Sequence, residues 1–179
     1  LKPAAEMPSD DMLVLPYWDP KLRFNKKSYN NLVSRLHDIG MFNYTTKPLC
    51  SVGVFFVWKS SRTRLRMITD ARRANQMFRD PPGVSLMTGE GFGRIEIEFD
   101  AAVANNPDAL SALEFHVGLS DVKDCFHRLR VPAWMSRYFC WLPVAAKVVG
   151  LAGKGIDGKV LQPLDPVWPC AGSLCQGFT

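Results

Sequence analysis

Two groups of residues have types and spacings that could do chemistry. The first is a carboxylate. Asp121 sits in Leu119-Ser120-Asp121-Val122-Lys123-Asp124-Cys125-Phe126, where the hydrophobic period changes from that of a strand to that of a helix. Before it, Phe115, Val117 and Leu119 alternate with His116, Gly118 and Ser120. After it, Val122, Cys125, Phe126 and Leu129 recur at i, i+3, i+4 and i+7, one helical face. An Asp at such a junction either caps the helix or offers its oxygens to a cation at the strand's end. Strict alternation turns it inward with Phe115, Val117 and Leu119, unless a bulge or the strand's end turns it out.

The second group is cationic. Lys59, Arg62, Arg64, Arg66, Arg72 and Arg73 fall within fifteen residues that hold one acid, Asp70. Solvated charge is one reading of such a run. The other follows from its position, because Val52–Trp58 and Arg64–Thr69 read as strands and Lys59–Thr63 as the tip between them. Alternation puts Arg64 and Arg66 on one strand face. A ribbon of this kind offers phosphates a row of cations, Arg as a bidentate fork and Lys as a point charge.

The remaining elements must position these groups. Residues 1–27 carry Pro3, Pro8, Pro16 and Pro20 and read as an irregular lead-in. Ser28 reads as the N-cap of a short amphipathic helix with Leu32, Leu36 and Ile39 on its buried stripe and Gly40 as its stop. Arg35 and His37 lie off that stripe and are expected in solvent. Asp80-Pro81-Pro82-Gly83 breaks the chain, and Gly89, Gly91 and Gly93 do not open an apolar helix in the manner of a nucleotide-binding loop. Arg94–Phe99 alternates as a strand or edge, and Asp108 is expected to cap a short helix through Leu113. The stretch Arg137–Val149 reads as strand, Gly150–Gly158 as a hairpin loop with Lys159–Leu161 returning, and the path through Pro163, Pro166 and Pro169 as irregular.

Composition bounds the class. The chain has 179 residues, 47% hydrophobic and 22% charged, as in ordinary globular proteins. A net charge of +5 mildly favours a polyanionic partner. Cys50, Cys125, Cys140, Cys170 and Cys175 form no C-x-x-C pair and no zinc spacing, which points to free thiols in a reducing compartment. No apolar run approaches the ~20 residues of a membrane span, so a membrane is not an expected partner. The oligomeric state is not legible. No signal peptide is visible, and the opening Leu1-Lys2-Pro3 and the close at Gly177-Phe178-Thr179 read as those of a piece of a longer protein.

Three segments, in this order, resemble a reverse transcriptase. Arg66-Met67-Ile68-Thr69-Asp70-Ala71-Arg72 resembles the fingers strand and turn. Ser120-Asp121-Val122-Lys123-Asp124-Cys125-Phe126 resembles the first palm motif, an Asp followed four residues later by Phe or Tyr. Leu174-Cys175-Gln176-Gly177 is close to the Leu-Pro-Gln-Gly that opens the next motif, with Cys175 in place of Pro. The match covers about residues 30–179, and it looks more like retroelement than retroviral enzymes.

The resemblance implies an α+β fold, the fingers and partial palm of a right-hand polymerase. Residues 28–90 would be fingers, 91–135 the palm segment with the first catalytic motif, and 136–179 a fingers hairpin leading into the Leu-x-Gln-Gly motif. It implies RNA-directed DNA polymerase activity of a retrotransposon-like element, with an RNA or DNA template, a primer and deoxynucleoside triphosphates as partners. Transfer to a primer 3′-hydroxyl uses two divalent ions about 3.5–4 Å apart, Mg²⁺ or Mn²⁺. By resemblance, Asp121 and the backbone carbonyl of Val122 would be metal ligands and Phe126 the gate beneath the sugar. Lys59 and Arg66 would clamp the nucleotide's phosphates, Arg72 would touch the template, and Gln176 with Gly177 the nucleotide and templating base. Asp124 would lie on the helix surface.

The sequence also departs from that family. Its third palm motif, an aromatic followed by x-Asp-Asp, is absent, and the single adjacent pair, Asp10-Asp11, precedes every other motif. Two of the three catalytic carboxylates are thus missing, and the chain as given is expected not to polymerise. A catalytically dead, retroelement-derived nucleic-acid-binding module is the second reading, and a basic α+β domain with a protein partner the third.

Overall fold

A computed structural model describes residues 1–80, 83, 88–95, 105–111, 118, 120–123 and 125–175. The chain divides into two compact units, Leu1–Asp80 together with Asp124–Thr179, and Pro81–Lys123.

The first unit is α+β with antiparallel sheets. The lead-in ends in helix α1 (Pro20–Phe24), whose N-cap Asp19 accepts the Lys21 N–H, with Pro20 at the position that needs no N–H. Helix α2 (Lys26–Asp38) follows at once. Its cap is Asn25, which accepts the Ser28 N–H at 3.0 Å, so the helix starts two residues before the expected Ser28 cap. Its buried residues are Tyr29 and Val33, flanked by half-buried Leu32 and Leu36. Ile39, expected on that stripe, lies past the helix end and is exposed. Gly40 closes the helix at φ +72°, a conformation glycine adopts without steric cost. His37 is not simply solvated, because its Nδ1 lies 3.1 Å from the Tyr44 hydroxyl with the rings edge to face.

Strand β1 (Phe42–Thr45) leads to β2 (Gly53–Trp58) and β3 (Leu65–Asp70), which pair as a hairpin in the expected place. Helix α3 (Arg72–Asn75) follows directly. In the second half, Arg137–Val149 is mostly not strand. Its regular elements are the two-residue β4 (Val144–Ala145) and a 3₁₀ turn, Ala146–Val149. Strands β5 (Gly155–Ile156) and β6 (Lys159–Val160) form a tight hairpin, with both turn residues at positive φ (Asp157 +50°, Gly158 +82°). That is the type I′ geometry that matches strand twist. Asp157 hooks this hairpin to β1, its Oδ2 accepting from Thr45 Oγ1 at 2.6 Å and Thr46 N at 2.7 Å.

The proline-rich path forms strand β7 (Pro166–Ala171), central in a sheet of order β1-β7-β4. Prolines are tolerated there because each falls where a ladder bond can be given up. Pro166 opens the strand. Pro169 accepts from the Trp141 N–H at 2.8 Å but has no N–H to return. The ladder is interrupted at Trp141, and the strand expected from Arg137 does not form.

The core of this unit gathers Val33, Val52, Val54, Phe139, Leu161 and Val167, all essentially without solvent contact. Trp18, from the stretch expected to be an irregular lead-in, joins it edge to face against Tyr29 and Trp141 at 5.8 and 6.0 Å.

The second unit holds two short helices among its described residues, Gly89–Gly93 and Pro107–Ser111. Asp108 lies inside the latter's first turn, and Asn106 Oδ1 accepts the Asp108 N–H at 3.1 Å. Phe115–Val117 and Leu119, most of the expected strand Arg94–Phe99, and Leu113 fall outside the described residues.

Candidate nucleic-acid interface

The β2–β3 register sorts its side chains by face. Val57 lies opposite Arg66, Phe55 opposite Ile68 and Gly53 opposite Asp70, so these six share one side. The pairing continues past the strands, with the Lys59 N–H bonded to Arg64 O at 2.8 Å. Alternation therefore brings Lys59 and Arg64 to the same side as Arg66. Lys59 and Arg66 are diagonal neighbours, a separation of roughly 7–8 Å in antiparallel pairs, and both are exposed. At the tip the Arg62 N–H bonds back to Lys59 O, and Arg62 itself takes φ +51°.

At the root of this face the cationic run meets its one acid. Arg72 Nε and Nη2 donate to Asp70 Oδ1 and Oδ2 at 2.8 and 2.7 Å, a bidentate fork. The Tyr17 N–H donates to Oδ2 at 2.7 Å and the Arg72 N–H to Oδ1 at 3.3 Å. The Arg72 fork, with these backbone donors, holds the Asp70 carboxyl down at about 2 against the opposing effect of burial. The Arg72 side chain remains 62% exposed although two of its donors are engaged. Tyr17 packs edge to face on Phe55 at 5.5 Å. Tyr17, Phe55, Ile68, Asp70 and Arg72 line an open cleft of about 350 Å³. Cations beside exposed aromatic faces are the combination that single-stranded nucleic acid uses, phosphate on Arg or Lys and base on ring.

Neither Tyr17 nor the anchoring role of Asp70 was legible as part of this face. The Asp70-x-Arg72 spacing at a strand end is the available signal for the fork, and nothing in the local sequence marks Tyr17. Arg73, counted with the exposed cations, is half-buried near the Cys50 thiol. Burial pushes that thiol up to about 11, and Arg73 works against the shift.

The opposite face of β3 carries Leu65, Met67 and Thr69. A small cavity on that side is lined by Met67, Thr69, His127, Leu174 and Cys175. Cys175 is buried and lines that cavity beside Thr69, and burial pushes its thiol up to about 12. The Leu174 N–H bonds to Leu129 O at 2.7 Å and the Val131 N–H to Gly172 O at 3.3 Å. The short helix Cys125–Arg128, which carries Phe126 and His127, leads into that pairing. Three segments far apart in sequence thus meet around one cavity.

Phe126 is 41% exposed and Leu129 48%, so the helical face that carries them lies at the surface. His127, beside Phe126, reaches the Met67–Thr69 face, whereas Lys59 and Arg66 lie on the other. Asp121 and Val122 belong to the second unit and are exposed, which removes the inward placement that strict alternation gave Asp121. Gln176, Gly177 and Asp124 lie outside the described residues.

Among the described residues no group of three or more His, Cys, Asp or Glu side chains could hold a metal ion. Mg²⁺ demands near-octahedral oxygen ligation, usually through one or two carboxylates plus substrate phosphates. Among the described residues, the Asp121 carboxylate and the Val122 carbonyl alone do not make up a two-ion centre. No helix among the described residues is long and apolar enough to cross a membrane. No known family model matches the chain, and no curated protein matches it by sequence.

Proposed function

We propose that the chain is a fingers and partial-palm module of reverse-transcriptase type, and that the Lys59–Arg66–Arg72 face binds the phosphates of a nucleic-acid strand or nucleotide. The observation that carries this reading is that Met67 and Thr69 of β3, Leu174 and Cys175 line one cavity with His127 of the Phe126 helix, and that Leu174 bonds to Leu129 just beyond that helix. A chance scatter of short motifs has no reason to converge in space. In this reading Lys59 and Arg66 hold phosphates by charge and Arg72 presents its outer edge to the template. Phe126, being exposed, is available to meet a sugar. Asp121 would supply one metal ligand, and nucleotidyl transfer would require further carboxylates beyond those this chain brings together. Binding without catalysis, the activity of a catalytically dead module, is what the chain would do by itself.

The test is the salt dependence of binding to a labelled single-stranded RNA and to a primer–template duplex. The expected result is affinity that falls linearly on a log–log plot, with a slope of about −0.7 per single-strand phosphate contact. Absence of measurable affinity at low salt would rule the reading out and favour a protein partner.

A further inference from the structure

Five cysteines are present, and two of them face each other across the sheet. Cys140 and Cys170 form an antiparallel bridge next to β7. The flanking bonds are Trp141 N–H to Pro169 O at 2.8 Å and Ala171 N–H to Phe139 O at 3.1 Å. Bonds at the residues before and after make Cys140 and Cys170 a non-hydrogen-bonded pair, the class with Cα atoms about 4.5 Å apart and the closest side chains. That separation falls at the short end of the roughly 4.4–6.8 Å a disulfide spans. Both thiols are buried, Cys140 at 0% and Cys170 at 1% exposure. Their present hydrogen bonds are weak ones to backbone carbonyls, Cys140 Sγ to Arg137 O at 3.2 Å and Cys170 Sγ to Trp168 O at 3.3 Å.

The two are not equally reachable. Cys170 lines an open cleft of about 260 Å³ with Tyr44, Trp134, Arg137 and Asp157, and Cys140 is not among the residues that line it. A small oxidant can therefore meet Cys170 first and leave Cys140 as the resolving thiol.

We propose that Cys140 and Cys170 are a modification site, a reduced pair that hydrogen peroxide converts to a cross-strand disulfide. The Cys170 thiolate attacks one peroxide oxygen, the O–O bond breaks, and hydroxide leaves to give the sulfenic acid. The Cys140 thiolate then attacks the Cys170 sulfur, the S–O bond breaks, and a second hydroxide leaves. The two thiol protons convert both hydroxides to water, so two thiols lose two electrons and one peroxide gains them. The adjacent Cys140 thiol and burial hold Cys170 above the ordinary thiol range, so it forms the reactive thiolate sparingly and the reaction is slow. Its product ties the segment after Ser136 to β7, the strand that leads into Leu174 and Cys175. It does not depend on the phosphate-binding reading.

The experiment uses the whole chain with Cys125→Ser, which removes the one exposed thiol. The folded protein is treated with hydrogen peroxide, residual thiols are alkylated in denaturant, and linked peptides are mapped by mass spectrometry. The expected product is a Cys140–Cys170 link, lighter by two hydrogens and reversed by dithiothreitol. Adding Cys140→Ser should stop the reaction at a Cys170 sulfenic acid that dimedone captures. A Cys50–Cys140 link, or retention of every thiol under conditions that oxidise free cysteine, overturns the proposal. The link map of the Cys125→Ser chain decides the matter even if the double variant fails to fold.

Discussion

Asp70 and Arg72 close a fork at the root of the basic hairpin, with Nε–Oδ1 at 2.8 Å and Nη2–Oδ2 at 2.7 Å, while the same carboxylate receives the Tyr17 N–H. One buried acid thus orients a cation of the candidate interface and fastens the N-terminal segment to β3. Its folded pKa, about 2 against 3.8 for the free side chain, is depressed. The stability it contributes is therefore present above about pH 4 and is lost as pH falls towards 2. Asp70→Asn should lower the unfolding free energy by about 2 kcal/mol at neutral pH. In denaturant titrations from pH 6 to pH 2 the gap to the unsubstituted chain should close. A gap that stays constant would show that the fork's charge contributes nothing.

Gly53 lies so close to the Tyr17 backbone that an added Cβ would sit 1.8 Å from its carbonyl oxygen. Because the obstacle is backbone, no rotamer relieves it. Gly53→Ala should cost about 3 kcal/mol or more. It should also expose to hydrogen exchange the Asp19 N–H, which now bonds to Val54 O at 2.8 Å. An unchanged exchange rate there would mean that the segment is not held by this approach.

Lys59→Ala with Arg66→Ala should leave the folding free energy within about 0.5 kcal/mol, since both side chains are exposed. Nucleic-acid affinity should drop, and the salt slope should become shallower by about 1.4, two single-strand contacts. A slope that does not move would place the phosphate contacts elsewhere.

Phe126→Ala removes a side chain that is 41% exposed, so its stability cost should stay below about 1 kcal/mol. If the ring meets a sugar, the preference for a deoxy- over a ribonucleoside triphosphate in equilibrium binding should fall towards unity. An unaltered ratio would reduce Phe126 to a surface residue.

Much of the hairpin was legible because its determinants are local. The β-branched and aromatic runs, the polar tip and the alternation of Arg64 and Arg66 depend on neighbours in the chain, and strand pairing preserved them. The Gly40 stop was legible for the same reason. The proline-rich run before Leu174 was misread because a proline's meaning depends on whether a partner needs its N–H. Trp141 and Tyr44, distant in sequence, settle that for Pro169. The N-terminal stretch was misread in the same way, since Trp18 becomes core and Tyr17 becomes interface only once β2 lies beside them.

By itself the sequence determined the amphipathic helix before Gly40, the cationic hairpin and the order of the three segments that resemble a polymerase, since periodicity and residue type need no third dimension. Only the tertiary structure decided that Asp70 holds Arg72 and Tyr17, that Thr69, Cys175, Leu174 and Leu129 meet, and that Cys140 faces Cys170. Each of these is a contact between residues brought together by burying a shared core, and no local pattern encodes which distant partner arrives.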